Sequence, residues 1–482
     1  MAPSINPMNV SFLRELMTTV AEQGRSLLPK GLNWGAEASD IRTLSEALVS
    51  SRGEAAGVAI ARQILGIYQT FEHEQKRDFF AFLGKELQPS ATEVAAAAGV
   101  YLKAPDPTSL ARLQHAVESP RQEFFRRLNL APGATRYIVG MRRDLLGMLK
   151  DNPDLKLVDD DLKHLLYSWF NRGFLMLKRI DWSTPAALLE KIIAYEAVHQ
   201  INGWDDLRRR LDVRDRRCFG FFHPALIDEP LIFVEVALTD EISGAIGPLL
   251  HDPAKQINAP TTAVFYSISN CQEGLKGISF GSFLIKQVVE DLARELPTLK
   301  TFVTLSPVPG FARWLESGEG RAVSAAILAD EEKTALTLLQ RPRWQSKERA
   351  TKMLEAPLKA LAAHYFLAAK AARGGPVDPV ARFHLGNGAV LERLNFLGDM
   401  SPKGVAQAHT MMVNYLYNLK EIEKNHEAYA NRAVVATSRQ VRNLLRSYDV
   451  DQAASEKRPD TALALAEKKA IAQLPKPTEP PS

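Results

Sequence analysis

Residues 276–311 read KGISFGSFLIKQVVEDLARELPTLKTFVTLSPVPGF, and the hydrophobic period changes several times along them. Gly277 and Gly281 make a turn. Leu284, Ile285, Val288, Val289, Leu292 and Leu296 then recur at three- and four-residue steps, the buried face of a helix over residues 282–296. Residues 301–305 form a short apolar run that suits a strand, and Ser306-Pro307 breaks it. Turn, helix and strand in this order are the unit of an α/β domain. Backbone N–H groups of a glycine turn at a helix N-terminus, beside the positive end of the helix dipole, suit a phosphate-bearing ligand. Two glycines also suit any strand-to-helix loop. No Gly-Lys-Ser/Thr follows, so the turn is not a P-loop. No acidic residue stands where a dinucleotide site needs one.

Upstream, residues 231–238 (LIFVEVAL) are a nearly continuous apolar run after Pro230, as in a central strand, and residues 263–268 (AVFYSI) predict a second. Before about residue 180 the pattern is helical. Leu162, Leu165, Leu166, Trp169, Phe170 and Phe174 share one face of a predicted helix, and Ser119-Pro120 with Gln122 marks the start of another. Residues 181–185 (DWSTP) read as a hinge. A helix through Leu188, Ile192, Tyr195 and Val198 follows, ending in a basic run (208–210, 214–217) that reads as a salt-bridged or solvated face.

Downstream, residues 315–373 are helical, with His364 a packed histidine. Residues 383–391 (FHLGNGAVL) predict a hairpin around Asn387-Gly388. Helices are expected through Met411 and Tyr417 and over about 428–448, before a polar, proline-rich tail. The fold class is α+β multidomain. It divides into an all-α helical bundle (1–181), an α/β domain (182–454) and a loosely held C-terminal tail (455–482).

With 482 residues, 46% of them hydrophobic, the chain can build two or three cores. A net charge of +4 is ordinary and gives no reason to expect a nucleic-acid partner. No apolar run reaches the ~20 residues of a membrane span. The start, MAPSINPMNVSFLREL, lacks a basic region followed by an apolar core, and the end, Pro480-Pro481-Ser482, is not a peroxisomal address. A cytoplasmic protein is expected. Cys218 and Cys271 are too few for a disulfide scaffold or a cysteine zinc site and are expected as free, buried thiols. Glu196 and His199, three apart on the predicted helix, read as a surface pair rather than metal ligands, and no HExxH is present, so no metal is expected.

Two residues stand out for chemistry. Ser306, at a strand end before proline, suits a turn cap as well as a reacting hydroxyl. His384, beside a glycine-rich turn, suits acid–base work near neutral pH. Their spacing alone does not bring them together.

The run Gly274-Leu275-Lys276-Gly277 leading to Phe283-Leu284-Ile285-Lys286 is accompanied by Leu305-Ser306-Pro307-Val308-Pro309-Gly310-Phe311 and by Phe383-His384-Leu385 with Asn387-Gly388-Ala389-Val390-Leu391. In these motifs the chain resembles the malonyl-CoA decarboxylase family. Further matches include Glu196-Ala197-Val198-His199, Trp204, Arg216-Arg217-Cys218, Asn395, Asp399 and Asn414-Tyr415. The resemblance implies a helical N-terminal domain and a catalytic domain like GNAT-type acetyltransferases. It implies malonyl-CoA as substrate, acetyl-CoA as product and no cofactor, since coenzyme A belongs to the substrate. It also implies a homo-oligomer, dimer or tetramer, formed through the helical domain, with no nucleic acid or membrane as partner. The acetyltransferase pattern Arg/Gln-x-x-Gly-x-Gly/Ala falls on Lys276, Gly277, Ile278, Ser279, Phe280 and Gly281, with Ser282 next. These are the expected substrate-binding residues, with Ser279 in place of the middle glycine. Ser306 and His384 carry over as the catalytic pair that also touches substrate, with Tyr417 and Asn387 supporting. A CoA-dependent acyltransferase and a non-catalytic acyl-CoA-binding scaffold are the alternatives.

Overall fold

The computed structural model describes residues 40–446 apart from 51–53, 256, 279–282 and 372–373. The tail assigned to 455–482, and Ser279, Phe280, Gly281 and Ser282 of the expected binding turn, lie outside the described residues.

From Ile41 to Trp169 the described chain is helical, and its helix starts follow local chemistry. Ser119 accepts a hydrogen bond from the Arg121 N–H with Pro120 at the first helical position. Asp106 and Ser109 close a reciprocal capping box. The core is aromatic, built on Phe79, Phe80, Phe82, Phe124 and Phe125 around Tyr68. Phe124 and Phe125 meet edge to face at 5.2 Å.

The helix Lys156–Trp169 stops short of the expected Phe174, which is 62% exposed. The next residues form a strand that the helical reading overlooked, β1 (Met176–Ile180), paired antiparallel with β2 (Arg216–His223). Lys178 and Arg179 in so short a strand hide its alternation, and β1 ends the strand order, where charged residues are usual. The next helix, Ala186–Tyr195, does not reach Val198. Glu196 turns to extended backbone, and its carboxylate accepts the N–H groups of Val198 and His199 at 2.7 and 2.8 Å. Glu196 and His199 therefore share a loop, not a helix face, because the carboxylate offers the backbone a local alternative to the helix. The basic run is salt-bridged, as in Arg209 with Asp215, Arg214 with Asp212 and Arg217 with Glu295. Both cysteines are free and buried.

The remaining strands are β3 (Leu226–Thr239), β4 (Thr262–Asn270), β5 (Thr301–Thr304), β6 (Ser306–Pro307), β7 (Val390–Asn395) and β8 (Met412–Leu416). Their order is β1-β2-β3-β4-β5-β8-β6, with β7 also on β8. β4 and β5 are parallel and joined through the helix Phe283–Glu295, while β8 runs antiparallel to β5, β6 and β7. Two compact units result, Met1–Val236 with Ser267–Glu295, and Ala237–Tyr266 with Leu296–Ser482.

Three downstream expectations are corrected. β8 replaces the helix expected through Met411 and Tyr417. Met412, Val413, Asn414 and Tyr415 are all buried, and a strand buried on both faces shows no alternation to betray it. Residues 383–391 are not a hairpin. Asp378 caps the helix Pro379–Gly386 by accepting the Ala381 N–H at 2.8 Å, and Asn387-Gly388 terminates it. The N–H groups of Asn387, Gly388 and Ala389 return to the carbonyls of His384 and Leu385. Gly388 has φ +79°, and a Cβ there would lie 2.1 Å from the Ile422 carbonyl oxygen, so only glycine fits. The helix expected over about 428–448 appears as Ile422–Arg432 and Arg439–Arg442, parted at Ala433 with φ +52°. Among the described residues no helix is long and apolar enough to cross a membrane.

Candidate active site

β5 and β6 are one strand line broken at Leu305. Val303 pairs with Leu416 and Ser306 with Val413, so the register against β8 continues across the break. Ser306 is thus delivered to the sheet interior, 6% exposed, with its Oγ 3.1 Å from His384 Nε2. His384 comes from the last turn of the Pro379–Gly386 helix. Its Nδ1 lies 2.7 Å from the Tyr417 hydroxyl, one residue past β8. The Asn387 side chain lies beside that hydroxyl. Ser306, His384 and Tyr417, all singled out in the sequence, are therefore joined in one buried line, and Asn387, singled out with them, is buried beside it.

Burial governs the electrostatics. With no charged partner among the described residues, His384 is pushed down by burial to about 3 and is a neutral imidazole at physiological pH. The expectation of a histidine titrating near neutrality gives way here, because no carboxylate offsets its desolvation. Burial raises the Tyr417 phenol well above its usual range. The Tyr415 ring stacks on the imidazole at 4.5 Å and 23°, fixing its plane.

Sequence reasoning missed Thr304 and Asp378. Thr304 is fully buried, and its Oγ1 accepts from Ser306 Oγ at 2.9 Å. The available signal was spacing, since residues two apart on a strand share a face. Asp378 is also fully buried and accepts from the Tyr365 hydroxyl at 3.1 Å. A Cβ on Gly310 would lie 2.5 Å from that same hydroxyl, so Tyr365 touches the Ser306 loop while it braces the cap of the His384 helix.

The expected binding turn belongs to the other compact unit. Gly277 has φ +78°, the Lys276 side chain is exposed, and Ile278 is buried. Arg142, itself 2% exposed, donates to the carbonyls of Gly274 and Lys276 at 2.7 and 2.9 Å while pairing with Asp159. A buried arginine thus fixes the entry to the turn. Among the described residues, no group of three or more His, Cys, Asp or Glu is placed to hold a metal ion.

A mixed sheet with helices, carrying a buried and uncharged serine–histidine–tyrosine line, defines an α+β chain with a site suited to proton handling. Comparison with known proteins is specific. Residues 173–455 match the model of the malonyl-CoA decarboxylase C-terminal domain, and residues 87–170 match that of its N-terminal domain. The mitochondrial malonyl-CoA decarboxylase of Anser anser anser is 37% identical over 395 residues, covering 76% of this chain and 77% of that protein. The crystal structure of malonyl-CoA decarboxylase from Rhodopseudomonas palustris is 52% identical, with a TM-score of 0.80, and covers 85% of this chain and all of that one. That from Cupriavidus metallidurans is 36% identical, with a TM-score of 0.66, covering 85% of this chain and 99% of that one. The chain belongs to the malonyl-CoA decarboxylase family, and it is an enzyme, a carboxy-lyase.

Proposed function

We propose that the chain decarboxylates malonyl-CoA to acetyl-CoA and CO2 with no resident cofactor, Ser306 and His384 being the catalytic pair. The observation that carries the reading is the buried Ser306–His384–Tyr417 line in a chain of this family. The substrate carboxylate is β to a thioester carbonyl. Loss of CO2 leaves an electron pair that the thioester oxygen accepts as an enolate, so the substrate is its own electron sink. The protein has to orient the carboxylate, direct hydrogen-bond donors at the enolate oxygen and protonate the carbon.

In this reading Ser306 stands at the carboxylate end, its Oγ accepting the His384 Nε2–H until that hydrogen moves to the substrate, while His384 supports the thioester oxygen. A histidine held neutral has no spare proton, so the proton reaching the carbon leaves Nε2 as Tyr417 passes its own to Nδ1. The phenol, whose ionised form burial disfavours, regains its proton from water. Lys276 to Ser282 bind the CoA pyrophosphate, which the φ of +78° at Gly277 and the Arg142 anchor support. The catalytic domain is read as GNAT-like, which the parallel β4–helix–β5 unit supports. The boundaries near 181 and 454 belong to the same reading.

The helical part is read as the self-association surface. Helices Ala91–Lys103 and Pro107–Val117 bury only Ala97 and Ser109, and Leu102 is 78% exposed. A cytoplasmic setting with neither nucleic acid nor membrane as partner completes the proposal, and subcellular fractionation checks it.

Purified protein incubated with malonyl-CoA alone tests the function. The proposal expects acetyl-CoA and CO2 in equal amounts. Turnover that requires an added amine or hydroxyl acceptor identifies an acyltransferase instead, and binding without turnover a scaffold.

A further inference from the structure

Two residues before Ser306, the hydrogen-bond ladder between β5 and β8 is taken over by side chains. The Tyr415 N–H, which a regular ladder would send to a carbonyl, donates to Thr304 Oγ1 at 3.2 Å. The Thr304 carbonyl accepts from Asn414 Nδ2 at 2.7 Å. Asn414 is itself saturated, for its other amide hydrogen goes to the Ser243 carbonyl and its oxygen accepts from Asn395 and Arg393. The Leu305 N–H donates to the Phe265 carbonyl on β4 at 2.9 Å. Thr304 Oγ1 is therefore pinned from the backbone side and presents its remaining acceptor capacity to Ser306 Oγ, 2.9 Å away.

We propose that Thr304 is a positioning residue that sets the direction of the hydrogen bonds through Ser306 and His384. Ser306 has one proton and gives it to Thr304. Toward His384 its Oγ can then only accept, so Nε2 carries the imidazole hydrogen. A neutral imidazole has one such hydrogen, which leaves Nδ1 bare to accept from the Tyr417 hydroxyl. The order runs Tyr417 to His384 to Ser306 to Thr304, each donating to the next. This deepens the catalytic reading of Ser306 and His384 and rests on it. It explains how a serine–histidine pair beside a thioester acts without becoming a nucleophile. If Ser306 gave its proton to Nε2, its oxygen could attack the thioester carbon and expel CoA thiol, leaving a malonyl ester that water would cleave to malonate. With the proton turned to Thr304, Nε2–H remains a donor.

Thr304→Val keeps the shape and removes the acceptor, and Thr304→Ser restores it. We expect Thr304→Val to lower kcat about ten-fold or more with little change in KM, and to release free CoA thiol from malonyl-CoA, while Thr304→Ser returns both toward wild type. Nitrogen-15 spectra of histidine-labelled full-length protein, with the His384 signals assigned by their loss in His384→Asn, report the tautomer directly. We expect the bare nitrogen at Nδ1 in wild type and at Nε2 in Thr304→Val. An unchanged tautomer, wild-type kcat in Thr304→Val, or equal losses of activity and melting temperature in Val and Ser variants would each overturn the proposal. Ser306→Ala separates the two levels, since wild-type CO2 release by that variant rejects the catalytic reading, whereas the tautomer result still judges Thr304.

Discussion

His384 is the residue whose chemistry its surroundings change most. Held near 3 rather than the usual 6.5, it stays neutral across the working range, so the pH profile of kcat should lack an inflection near pH 6.5. A bell limb centred there in wild type would contradict this. The same shift fixes a stability trend. Between about 6.5 and 3 the unfolded chain binds a proton at this histidine that the folded chain refuses. The stability it confers is complete above pH 6.5 and is lost as pH falls toward 3. His384→Asn should flatten the acid limb of a melting-temperature profile, and an unchanged limb would argue against the burial account.

At the scale of elements, the Pro379–Gly386 helix and the β5–β6 line hold the site, and Asp378 with Tyr365 couples them. Removing the cap with Asp378→Ala should cost about 1–2 kcal/mol by denaturant melts and lower kcat more than it raises KM. Unchanged stability would show that the cap contributes nothing. Arg142→Met should cost about 3–5 kcal/mol, because Asp159 is left buried with Lys156 as its remaining ion-pair partner among the described residues. It should also weaken CoA binding, measured by calorimetry, because the Lys276 carbonyl loses its donor. The elements that sequence made legible are those with a clear period or a clear stop, namely β3, β4, β5 and the Phe283–Glu295 helix. β8 was hidden because it is buried on both faces and shows no alternation, and β1 because charges interrupt it. Asn387-Gly388 misled because one dipeptide serves a hairpin turn and a helix terminus equally, and only the Asp378 cap upstream decides between them. Within the site, Ser306, His384, Tyr417 and Asn387 were legible through the motifs that carry them. Thr304 was not, since a strand threonine earns notice only once its neighbour across the sheet is known.

For the whole molecule, membership of the malonyl-CoA decarboxylase family and the exposed helical pair Ala91–Lys103 and Pro107–Val117 lead to an expectation about assembly. On the proposed self-association, Leu102→Glu with Val117→Glu should reduce the mass seen by light scattering to that of a smaller species without unfolding the chain, and an unchanged mass would contradict self-association through this pair. The central claim is decarboxylation without a cofactor by a neutral, buried pair. It is tested most directly by CO2 release from carboxyl-labelled malonyl-CoA, using protein dialysed against a chelator, for wild type beside His384→Ala, with CoA binding measured on both. The account predicts full release by the dialysed wild type, and a loss of about 100-fold or more in the variant at unchanged CoA affinity. Near-normal release by His384→Ala, or loss of wild-type release on dialysis that an added metal restores, would contradict it.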